Sequence, residues 1–143
     1  MKPIAQKISI PAGEKQMKYI AVSKKTIDQA SVDLETAVIN NKFGVLHIHD
    51  LKATMKKKGV DFPNGCRIFE VCNPHKANAV LTTDMSLNMA LPCRISVWEE
   101  EGKVKIGTLE PTKLLSVLSD DTALQQIAAE VEETIKRIID QAK

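Results

Sequence analysis

Apolar positions repeat every second residue in some stretches of the chain and every third or fourth in others, and these switches mark out the elements. Met17 to Ser23 (MKYIAVS) is short and rich in apolar residues, which predicts a strand. Thr26 then supplies an N-cap hydroxyl with Gln29 three residues on, a capping-box pattern. Ile27, Ala30, Leu34 and Val38 follow on one helical face, and Asn40, Asn41 and Gly44 end the helix. Phe43 to Leu51 (FGVLHIHDL) reads as a second strand. Its alternation puts Leu46 and Ile48 on one side and Val45, His47 and His49 on the other.

Residues 52–58 read as a short helical turn stopped by Gly59, and Asn64-Gly65 is a turn signal. Cys66 to Cys72 (CRIFEVC) is a third strand, with Arg67, Phe69 and Val71 on one face and Cys66, Ile68, Glu70 and Cys72 on the other. Asn73-Pro74 opens a second helix, since Asn caps well and Pro suits the first helical position. Ala77, Val80 and Leu81 give that helix its apolar stripe, and it ends near Asp84. Residues 91–109 read as a hairpin turning at Glu101-Gly102, in which Ile95, Val97, Val104 and Ile106 alternate with polar residues. Last comes a long amphipathic helix capped by Ser119 or Asp120, with Leu124, Ile127, Val131, Ile135, Ile138 and Ala142 along its apolar face.

The order β-α-β-β-α-β-β-α suits an α+β two-layer sandwich, a mainly antiparallel sheet with helices on one face. Residues 1–15, polar and containing Pro3, Pro11 and Gly13, read as a flexible arm, and residues 16–143 as one domain. The second sheet face is then solvated or covered by another subunit, and Leu87, Met89 and Leu91 suggest a partner near the sheet.

Composition narrows the class further. Aromatic residues make up 3% of the 143, so the core is aliphatic. A net charge of +2 falls far short of the basic stripe that nucleic acid requires, and Lys56-Lys57-Lys58 reads as a solvated turn. No secretory apolar stretch follows Met1, and no segment approaches the roughly 20 apolar residues of a membrane span. The expected setting is therefore the cytoplasm, with no nucleic-acid or membrane partner. There Cys66, Cys72 and Cys93 are expected to be reduced.

Three blocks carry a resemblance. Phe43-Gly44-Val45-Leu46 with Asp50-Leu51-Lys52-Ala53-Thr54 and Lys56-Lys57-Lys58 is the first. Phe69-Glu70-Val71-Cys72-Asn73-Pro74 and Leu91-Pro92-Cys93-Arg94 follow in order. Together they resemble the signature of domain-of-unknown-function family 302. The resemblance implies a two-layer fold like half of the TATA-box-binding protein, usually met as a homodimer, and it implies no activity. Fold likeness is not DNA binding, and the chain lacks the basic surface and aromatic wedges of a minor-groove binder.

Candidate chemistry centres on Cys72, which precedes the Asn73-Pro74 helix start. Backbone N–H groups and the helix dipole at such a position favour an anion, and can lower a thiol pKa from about 8.5 to roughly 3.5–7.5. Glu70 and Arg94 stand as its catalytic companions, and Asn73, His75 and Cys93 as ligand-binding residues. Strand parity argues against a direct Cys72–Cys93 pair, because Cys93 shares its face with Ile95 and Val97. Cys66 reads as structural or exposed. His47 and His49 form an H-x-H on one strand face, a spacing at which two imidazoles can take one transition metal. The less apolar sheet face is expected to gather His47, His49, Glu70, Cys72 and Arg94.

No P-loop, G-x-G-x-x-G, C-x-x-C, G-x-S-x-G or H-E-x-x-H occurs. The leading expectation is a homodimeric ligand-binding or thiol-reactive module that takes a small anion, a sulfur species or a metal near Cys72. The alternative is an interaction protein without chemistry, and a third reading is a metalloenzyme using His47 and His49.

Overall fold

The computed structural model describes residues 17–143, so the expected arm over 1–15 lies outside the described residues. Among the described residues five strands form one sheet: β1 (Lys18–Ser23), β2 (Gly44–Asp50), β3 (Cys66–Cys72), β4 (Cys93–Glu100) and β5 (Lys103–Leu109). Their spatial order is β1-β5-β4-β3-β2, and every neighbouring pair is antiparallel. The helices are α1 (Ile27–Asn40), α2 (Leu51–Lys57), α3 (Pro74–Thr83), α4 (Pro111–Leu118) and α5 (Thr122–Ala142), with a 3₁₀ turn over Met85–Ala90. This is the expected α+β two-layer sandwich.

Local chemistry accounts for the element ends. Thr26 accepts a hydrogen bond from the Gln29 N–H at 3.1 Å, the first half of a capping box. The second half does not form, because the Gln29 amide turns to Asp33. Asn41 closes α1, and Lys42 then takes φ 64°, a left-handed step that sends the chain into β2. Glu101 and Gly102 both have positive φ, at 53° and 75°, as a two-residue hairpin turn matching the strand twist demands. The cap of α5 falls one or two residues later than the sequence suggests: Asp121 accepts from the N–H groups of Ala123 and Leu124.

The core forms where one sheet face meets α1 and α5. Phe69, Val71, Ile95, Val97 and Ile106 project from the strands and are fully or almost fully buried. Ala30, Leu34 and Val38 of α1 and Val131, Ile135 and Ile138 of α5 close over them. The opposite face is left largely open, with Ile20 and Val22 of β1 46% and 54% exposed. On that face Gly107 makes room for Trp98. A Cβ there would lie 3.0 Å from the Tyr19 carbonyl oxygen and 3.2 Å from the indole. Among the described residues no helix is long and apolar enough to cross a membrane.

Three details depart from the sequence expectation. Val45 pairs with Val71 and His47 with Glu70, so Leu46 is a bulged extra residue. The bulge breaks the alternation: Val45 joins the core side while His47 and His49 face the open side. Second, the 3₁₀ turn is part of the lining of a cavity at the sheet's end, with Leu87 buried and Met89 exposed. Third, α4 was not expected at all, although Pro111 at its first position and the spacing of Leu114, Leu115 and Leu118 both suit a helix.

Candidate functional site

The expected polar cluster on the open face exists in large part. Glu70 of β3 stands opposite His47 of β2 on one side and Arg94 of β4 on the other. The His49 Nε2 lies 3.4 Å and the Arg94 Nη2 3.6 Å from the same Glu70 oxygen, Oε2. The His47 and His49 rings meet edge to face, with centroids 4.4 Å apart. Among the described residues no group of three or more His, Cys, Asp or Glu side chains is arranged to hold a metal ion. The cluster thus has one carboxylate at its centre, with the Arg94 guanidinium and the His49 ring on either side of it.

Cys72 lies elsewhere. It ends β3 in the wall of a cavity of about 260 Å³, together with Phe43, Val71, Asn73 and Lys76. Cys93 lines the same cavity, so the two thiols that strand parity separates do share one site. The reason is position: both residues sit at strand ends, where the pleat no longer dictates direction.

Cys72 does not have the lowered pKa expected of it. Burial pushes the Cys72 thiol above its ordinary range rather than below it. Burial, with the neighbouring Cys72 adding to it, pushes Cys93 up to about 11. Cys66 is raised as well, by burial and by Asp50. The expectation of a depressed pKa fails for a visible reason. Asn73 Oδ1 accepts from the N–H groups of His75 and Lys76, at 3.0 and 3.2 Å. Pro74 has no N–H, so the first turn of α3 keeps no backbone donor pointed at the sulfur. Asn73 is therefore a helix cap, and His75 is exposed on the first turn.

A second and larger cavity of about 320 Å³ adjoins the first. It lies between α3, the 3₁₀ turn, the ends of β4 and β5, and α4 and α5. Val80, Leu91, Pro92, Cys93 and Val131 line both cavities, so one wall separates them and Cys93 belongs to it. Leu87, Leu114, Leu115, Leu118 and Ile127 make the larger cavity aliphatic, with Arg94 and Thr108 supplying polar groups at its edge. Sequence reading named Cys93 and Arg94 but missed the leucines of α4. A void built by six separated elements has no local signal.

The model of the family "Domain of unknown function DUF302" matches residues 19–142, nearly the whole of the described chain. The chain belongs to the DUF302 family. No curated protein sequence matches it. Among solved structures it is similar to an uncharacterized conserved DUF302 protein from Bacillus stearothermophilus, with 31% identity and a TM-score of 0.85. That match covers 90% of this chain and 99% of the other. The DUF302 match spans all three sequence blocks and every element from β1 to α5, so both cavities and the open-face cluster lie within the family's own fold.

Proposed function

We propose that this DUF302 domain binds a small molecule in the two apolar cavities that meet at Cys93. One observation carries the reading: cavities of about 320 and 260 Å³ share five lining residues. Each is near the lower end of the roughly 300–1,000 Å³ range of ligand pockets. Cys72 and Cys93 remain central, but as uncharged thiols they are soft, polarisable wall rather than nucleophiles. Three free cysteines also favour a reducing compartment such as the cytoplasm.

The test is titration of ¹⁵N-labelled protein with octan-1-ol, a neutral apolar probe. Amide shifts are expected at Cys93, Leu115 and Ile127 and not on the open face. Ala128→Phe fills the larger cavity from α5, where Ala128 is buried in its wall, and should abolish those shifts. Shifts that persist unchanged in a folded Ala128→Phe protein would remove the cavity from consideration.

The open sheet face supports a second, compatible reading, association of two copies through that face. Exposed Ile20 and Val22 on the edge strand favour it. Light scattering should then give twice the chain mass for the wild type and the chain mass for Val22→Glu. A monomeric wild type at micromolar concentration counts against it.

A further inference from the structure

Resting on the cavity reading, the geometry points to a definite ligand class: an unbranched alkyl chain of about eight carbons carrying an anionic head that meets Arg94. The volume sets the size. At roughly 30 Å³ per heavy atom, the share of a water molecule in the liquid, the larger cavity takes about ten heavy atoms. Octanoate has that many. The wall sets the shape, since leucine, isoleucine, valine, methionine, alanine and proline line this cavity and no aromatic ring offers a stacking surface. A flexible chain fills such a lining better than a flat ring.

The mouth shows where the chain enters. Met89, Leu109 and Leu118 line the cavity yet are 85%, 52% and 48% exposed, so apolar surface runs continuously from solvent inwards. The head group follows from Arg94. Its side chain is 63% exposed at this edge and is tied to Glu70 at 3.6 Å, longer than a hydrogen bond. A guanidinium held so loosely can take a carboxylate or phosphate in its fork while keeping Glu70 at a distance. Lys76 at the edge of the smaller cavity is less available, because it is bound to Glu130. Glu70 is thus a competitor for the ligand's head, and the open-face cluster becomes the electrostatic control of the cavity.

Calorimetric titration with octanoate, octyl phosphate and octan-1-ol tests this. Octanoate is expected to bind one to one, about fivefold tighter than the alcohol, as a part-exposed charge pair allows. Octyl phosphate separates the two head chemistries: tighter binding than octanoate assigns a phosphate head, weaker binding a carboxylate. Arg94→Met should abolish the preference of the protein for both anions over the alcohol, measured in the same variant. Glu70→Gln should tighten the anions severalfold and not the alcohol. Equal affinity for octanoate and octan-1-ol, or an anion preference that survives Arg94→Met, overturns the assignment while the cavity reading stands. Failure of all three probes, octan-1-ol included, overturns the cavity reading itself.

Discussion

Cys93 permits the sharpest quantitative test of the site. Its thiol, ordinarily near 9, is held at about 11 because desolvation disfavours the thiolate and a second thiol, Cys72, lies beside it. At pH 8 an ordinary thiol is about one-tenth thiolate, whereas Cys93 is about one-thousandth, since each pKa unit is a factor of ten. The reacting species is therefore about a hundredfold scarcer. A more basic thiolate is intrinsically more nucleophilic, which returns up to about tenfold over two units. The net expectation is alkylation by iodoacetamide at least about tenfold slower in folded protein than in urea-denatured protein at pH 8, before any steric shielding. The decisive observable is the pH profile, read peptide by peptide by mass spectrometry. The rate at Cys93 should rise tenfold per pH unit across pH 7–10 with no plateau. The denatured control should level off above about pH 9, near the ordinary thiol pKa. A folded-state plateau near pH 8.5, or a rate within twofold of the denatured control, would refute the burial argument and restore a reactive cysteine.

Other consequences can be measured alongside. Ile135→Ala, at a position with no solvent exposure where α5 meets the sheet, should cost about 2–5 kcal/mol in urea unfolding, and under 1 kcal/mol would mean that the helix packs otherwise. Lys136→Met removes the 2.6 Å partner of the buried Glu110 and should cost about 1–3 kcal/mol at pH 7, with Lys113 at 3.5 Å limiting the loss. Hydrogen bonding to Glu110 holds Lys136 above its usual 10.5, so this stabilisation is complete below that pH and should fade only as alkaline titration passes the folded-state value. Gly107→Ala forces a methyl against the Tyr19 carbonyl and the Trp98 ring and should lower stability by about 1–3 kcal/mol, whereas an unchanged midpoint would show that β1 yields freely.

Much of this architecture was legible in sequence because local signals agreed with one another. Caps at Thr26 and Asn73, alternation in CRIFEVC and the long stripe of α5 each pointed to the element that forms. What escaped was decided by partners distant in sequence. The bulge at Leu46 exists because of how β2 registers against β3, and no pattern within FGVLHIHDL shows it. The grouping of His47, His49, Glu70 and Arg94 was nevertheless anticipated, since both histidines lie beyond the bulge and Glu70 and Arg94 sit on strands that alternate normally. Cys72 was misjudged in its chemistry because Asn73, read as a helix cap, consumes the very donors that were to stabilise a thiolate. The cavities could not be read at all, being spaces left between elements rather than properties of any one of them.

Trp98 gives the open face an optical consequence. It is the chain's one tryptophan, and it lies over Gly107 in the middle of that face with its Nε1–H donated to Glu100 at 3.0 Å. Intrinsic emission therefore reports on this surface alone. A second copy laid across the sheet strips water from the indole, moving the emission to the blue and shielding it from iodide. A molecule entering the cavities leaves both signals where they were. One unlabelled spectrum, taken as protein concentration is raised and then as ligand is added, tells the two events apart.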